Sequence, residues 1–106
     1  MAYFVLIREP GPSWDRSRPM REQDDWDAHA RFMDGLVDDG FVLLGGPVGD
    51  GTRFLHIVDA LSERDVKDRL AEDPWTPTER LRTASIEPWE ILLRPDTSHL
   101  VKKFIG

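Results

Sequence analysis

The chain has 106 residues, 40% of them hydrophobic, with a formal charge of −6 and no cysteine. That balance suits one globular domain with a modest core and excludes a disordered chain. The acidic surplus argues against nucleic acid and anionic membrane surfaces as partners, and the lack of cysteine removes disulfides, thiolate nucleophiles and cysteine-held zinc.

The expectation is a single domain over residues 1–106, with 94–106 as a C-terminal tail. A reducing, cytoplasmic location is the default for a cysteine-free chain. The N-terminal run MAYFVLIREP is short and lacks a basic region before it, so it reads as a strand and not as a signal peptide. No run approaches a membrane span.

In chain order, Tyr3 to Arg8 forms the first predicted strand and ends at Pro10-Gly11-Pro12. Tyr3, Val5 and Ile7 share one side, Phe4 and Leu6 the other, so both faces ask for cover. Glu9 to Gln23 is polar, punctuated by proline and glycine, and holds Arg16, Arg18 and Arg21. A loop of this length reads as a lid, a binding loop or a mobile segment. A helix then starts near Asp24 or Asp25, where acidic residues suit the positive end of the dipole. Trp26, His29, Ala30, Met33, Leu36 and Val37 form one apolar stripe, and Gly40 stops the helix.

Phe41 to Gly46 is the second predicted strand, ending in Gly45-Gly46-Pro47, where missing side chains allow close backbone approach. After a short turn, Arg53 to Asp59 is the third, with Phe54, His56 and Val58 on one face. Ser62 and Asp65 resemble a capping box for a second helix that carries Val66, Leu70 and Ala71 inward. Pro74 frees Asp73 from that helix. Trp75 to Arg82 is irregular, and Ala84 to Leu93 is the last strand, with Pro88 suited to an edge or bulge. The order β-α-β-β-α-β predicts an α+β fold, the ferredoxin-like sandwich, with an antiparallel sheet covered by helices on one face. The other face is apolar and uncovered, which predicts a homodimer through the open sheet face.

These residues resemble the YCII (YciI-like) family of the dimeric α/β-barrel superfamily. The resemblance is carried by the strand YFVLIRE, by His29 followed by Asp38-Asp39-Gly40 and Gly45-Gly46-Pro47, by Asp73-Pro74-Trp75, and by Ile86-Glu87-Pro88-Trp89 in the closing strand. It spans nearly the whole chain up to Leu93. It implies a dimer and a pocket where His29 meets Asp73. Most of the family lacks an assigned reaction, and one branch resembles a dehydrochlorinase acting on a chlorinated hydroxyhydroquinone. The chain departs from the family in the arginine-rich 9–23 loop, in Trp75 and in Thr76-Pro77, where a ligand would lie. Substrate identity therefore does not carry over.

The candidate catalytic pair is His29, an imidazole able to take a proton near neutrality, with Asp73 fixing its tautomer. The structural alternatives are a core histidine bonded to a carbonyl and an aspartate that only starts a turn. Substrate-binding candidates are Arg8, for a carboxylate or phenolate, the backbone at Gly46 and Pro47, and Trp75. Each also has a plainer reading, as a solvated arginine, a strand end or a core aromatic. His56, in mid-strand, and His99, in the tail, stand apart from the catalytic pair. No metal site is expected, because no close-spaced ligand pair exists. Two functional readings result. One is a cofactor-free enzyme using a His29–Asp73 dyad for elimination or isomerisation of a small oxygenated, aromatic-type metabolite. The other is a non-catalytic small-molecule-binding dimer or accessory subunit.

Overall fold

The structure, a computed structural model, describes residues 2–95. The tail from residue 96 onward, His99 included, lies outside the described residues. The elements are β1 (Ala2–Pro10), α1 (Trp26–Asp38), β2 (Val42–Val48), β3 (Arg53–Ala60), α2 (Glu63–Leu70) and β4 (Leu81–Pro88), with a 3-10 turn at Met20–Glu22. The sheet order is β2-β3-β1-β4 and every neighbouring pair is antiparallel. This is the α+β, ferredoxin-like arrangement the sequence order predicts.

Side-chain alternation sets the faces. Phe4, Leu6 and Arg8 of β1 are buried, while Tyr3, Val5 and Ile7 between them are half-buried on the opposite face. Phe4 and Leu6 pack with Val42, Val58, Leu36 of α1, and Val66 and Leu70 of α2 in one core. A second, smaller core joins Phe54, Trp75 and Leu81, with Trp14, Met20 and Trp26 against it. The site lies beside this smaller core.

The helix ends follow local chemistry. Gly40 has φ 78, and the Phe41 N–H bonds the Leu36 carbonyl at 3.0 Å. That is a left-handed stop which glycine adopts without a Cβ clash. Ser62 Oγ accepts the Asp65 N–H at 3.1 Å, and Asp65 returns the favour to the Leu61 N–H at 3.1 Å. The capping pair thus reaches one residue earlier than the usual box. At the start of α1, Asp25 is left-handed (φ 62) and its side chain makes no cap, so it contributes charge alone to the helix start.

Three expectations shift. The last strand runs Leu81–Pro88, not Ala84–Leu93. β1 continues to Pro10, which pairs with Leu81, and a register slip between Ile7 and Arg8 offsets the rest of the ladder. Polar Arg82 and Thr83 hid this strand start, since an edge strand can expose them. Ala71, expected inward, is the exposed C-cap of α2. Lastly, the 9–23 segment is pinned. Gln23 is 3% exposed. Its Nε2 donates to the carbonyls of Asp15 (2.7 Å) and Arg18 (2.9 Å), while its Oε1 accepts the Asp15 N–H at 2.9 Å. Pro47 and Pro88 both sit on edge strands, where a missing N–H is tolerated.

The 9–23 segment also leans on the turn before β4. The Gly11 N–H bonds the Arg80 carbonyl at 2.9 Å, and a Cβ at Gly11 would collide with the Glu79 carbonyl oxygen. Backbone cannot swing aside as a side chain can. Gly11→Ala should therefore lower stability by about 1–3 kcal/mol, read from urea unfolding. A midpoint equal to that of the parent chain would contradict this close approach.

Candidate functional site

Three parts of the fold, β1, α1 and the turn after α2, converge on one buried carboxylate. Asp73 leaves α2 just after its C-cap, and its own Oδ1 accepts the Trp75 N–H at 2.9 Å, closing an Asx-type turn. Its Oδ2 accepts Arg8 Nη1 from β1 at 2.7 Å. His29 Nδ1, one turn into α1, lies 2.9 Å from both carboxylate oxygens. Asp73 is 0% exposed, Arg8 1% and His29 7%. The turn reading and the functional reading of Asp73 are thus not rivals, because the same carboxylate serves both bonds.

Burial pushes the Asp73 carboxyl up. The hydrogen bonds from His29, Arg8 and the Trp75 N–H together outweigh that and hold its pKa below the ordinary carboxylate value. As an ionised acceptor it takes the N–H at Nδ1 of His29. In the neutral imidazole this leaves the lone pair on Nε2. The ring is further fixed by Trp75, stacked on it at 3.9 Å between centroids and 8° between planes. Trp75 Nε1 donates to the Asp24 carbonyl at 2.7 Å, tying the 73–76 turn to the residues that open α1. Thr76 Oγ1 accepts Arg8 Nη2 at 3.1 Å and donates to the Leu70 carbonyl at 2.7 Å.

His29 and Arg8 line a cavity of about 210 Å³. Its wall is mostly apolar (Trp26, Met20, Met33, Phe54, Leu81, Val42), and Gly45, Gly46 and Pro47 close it from β2. A cavity of roughly 150 Å³ can hold benzene, so this one has room for a single substituted ring. Few polar groups in a largely apolar hollow is the usual make-up of a small-molecule site.

The sequence candidates divide as follows. His29, Arg8, Gly46 and Pro47 are on the cavity wall. Trp75 is not. It is fully buried behind the imidazole, so the expected substrate contact is replaced by support of the His29 ring. Nor is Arg8 the solvated arginine of the plainer reading, because parity on β1 places it inward beside Leu6. Of the loop arginines, Arg18 pairs with Asp15 and Asp24, Arg21 lies 6.0 Å over the Trp26 ring, and Arg16 is exposed. Among the described residues, no group of three or more His, Cys, Asp or Glu is arranged to hold a metal ion.

One residue was missed. His56 also lines the cavity. Its Nδ1 is buried without a hydrogen-bond partner, and a Cβ at Gly45 would lie 2.6 Å from its Cδ2. The close approach that the bare Gly45 backbone allows is made by this imidazole. The signal was present in the shared parity of His56 with Phe54 and Val58. Burial, reinforced by the Arg8 charge and by any proton on His29 against the opposing pull of Asp73, drops the His56 pKa from 6.5 to about 4.

No family model matches the chain, and no curated protein matches it. Among solved structures it is similar to 5-chloro-2-hydroxyhydroquinone dehydrochlorinase (TftG) from Burkholderia phenoliruptrix AC1100, in complex with 2,5-dihydroxybenzoquinone. The TM-score is 0.62 at 26% identity, over 83% of this chain and 93% of that one. No helix among the described residues is long and apolar enough to cross a membrane.

The His56 shift fixes a pH dependence. Between about pH 6.5 and about 4 the unfolded chain binds a proton at His56 that the folded chain refuses. Stability is therefore whole above that window and falls as pH drops through it, by on the order of 3 kcal/mol. Urea unfolding across the window should show this slope, and His56→Gln should flatten it. Parallel curves for the two proteins would contradict a buried neutral imidazole.

Proposed function

We propose that the protein is an acid/base enzyme acting on a small hydroxylated or quinonoid ring, with His29 as base and Asp73 as its orienting partner. The observation that carries this reading is the His29 Nδ1–Asp73 contact of 2.9 Å, made by an imidazole on the wall of a ring-sized cavity. The lone pair on Nε2 takes a proton from a ring hydroxyl or carbon. In an elimination the leaving group departs with its bonding pair. In an isomerisation the same nitrogen returns the proton to another atom. No cofactor enters this scheme. Arg8 and Asp73 together are neutral, so the trio gains one positive charge when His29 is protonated. That charge faces the anion left on the substrate. Arg8, Gly46 and Pro47 hold the ring, and Trp75 stacks behind the imidazolium.

The likeness to a dehydrochlorinase bound to a dihydroxybenzoquinone supports this substrate class. Membership of the YCII-like family and a cytoplasmic setting belong to the same reading. So does a homodimer. The face away from the helices carries half-buried Tyr3, Val5, Ile7 and Leu55, and Leu44 there is 69% exposed. A second copy would cover this stripe. Light scattering should return twice the chain mass, and a monomeric mass at micromolar concentration would remove the dimer.

Turnover is tested on chlorinated and unchlorinated hydroxyhydroquinones, following chloride release and ring absorbance. His29→Gln should lower the rate by about 10²–10⁴-fold with little change in melting temperature. Asp73 is a poorer probe, because removing its carboxylate strands Arg8 in the interior at a cost of about 3–5 kcal/mol. Equal rates for the parent and His29→Gln would sink the catalytic role. Ring binding without any turnover would favour the binding-module reading instead.

A further inference from the structure

We propose that His56 is a ligand-contacting residue, whose imidazole hydrogen-bonds a ring oxygen of the bound molecule while His29 handles the proton. This rests on the hydroxylated-ring reading above. It begins from a placement that packing alone does not explain. His56 lies in the middle of β3, on the face its neighbours Phe54 and Val58 devote to apolar contact. A buried imidazole nitrogen without a partner costs about 1–3 kcal/mol relative to a satisfied one. Folded proteins keep few such groups, and those kept call for a reason. Nδ1 of His56 is one, and Nε of Arg8, on the same cavity, is another. Both nitrogens belong to residues that line one ring-sized hollow, and that pairing is the polar feature a ring oxygen would meet there.

The chain also makes room for this ring. Gly45 opposes His56 across the β2–β3 ladder, and any Cβ there would press into the imidazole edge. Burial and the nearby Arg8 charge keep the ring uncharged near neutrality. An uncharged imidazole offers one N–H and one lone pair. It can therefore accept from a ring hydroxyl or donate to a carbonyl or phenolate oxygen. The same low basicity makes it a weak proton acceptor. The two histidines thus divide the work. His29, backed by a carboxylate, moves the proton, and His56, with Arg8 beside it, holds the oxygen on which charge collects.

The experiment measures binding of 2,5-dihydroxybenzoquinone to the parent protein, His56→Phe and His56→Gln by calorimetry, with melting curves for each. Parent binding, a loss of about tenfold or more in His56→Phe, equivalent to about 1.4 kcal/mol, and near-parent affinity in His56→Gln are expected. Equal affinity for the parent and His56→Phe overturns the role of His56 and leaves the ring-binding reading standing. No binding to the parent overturns both. Should His56→Phe not fold, nitrogen NMR of the parent imidazoles replaces it. The His56 ring nitrogens should shift on adding the quinone, and unmoved signals at saturation overturn the proposal.

Discussion

The structure is organised around keeping one carboxylate charged in the interior. Asp73 receives donors from β1, from α1 and from its own turn, and no water-facing route relieves it. A buried ion survives only when its partners are fixed in place. That requirement sets where β1 must carry Arg8, how α1 must present His29, and why α2 must end before Pro74. Removing any one donor leaves the buried carboxylate short of a partner, and removing the carboxylate leaves Arg8 without its counter-charge. Arg8 gains from the same arrangement, because the carboxylate and Thr76 take its two terminal nitrogens while Nε has no partner.

The two cavity histidines show how environment separates identical side chains. One faces an ionised acceptor and an indole plane, the other an arginine and a glycine backbone. The first is bonded to a carboxylate, and the second has a neighbouring cation that opposes its protonation. The same contrast is what acid/base sites use to assign roles to like residues.

Much of this was legible in the chain. Apolar periodicity located both helices and the first three strands, and chain order alone led to the antiparallel sheet. His29 stood out because a titratable group interrupted a helical stripe, and Pro74 marked Asp73 as freed from its helix. What stayed hidden depended on partners far away in sequence. Arg8 shares parity with Phe4 and Leu6, but an arginine after an apolar run reads as a strand end until its carboxylate, Asp73, is known. His56 looked like a strand histidine for the same reason. The start of β4 was masked because edge strands accept polar residues. By composition the 9–23 segment read as a lid, a binding loop or a mobile segment, since nothing local reveals that one amide will bind its backbone together.

That amide has a consequence for how the hollow could diversify. Gln23 grips the turn at Asp15 and Arg18, and Met20, within the same span, forms part of the cavity wall. The outline of the recess is therefore inherited from a glutamine that never touches its contents. Grafting a differently shaped segment between Gly11 and Asp24 would reshape the recess only if the replacement carried its own internal clasp. Without one, the wall would slacken, and the outline of the recess would be lost while the buried carboxylate and its donors stayed in place.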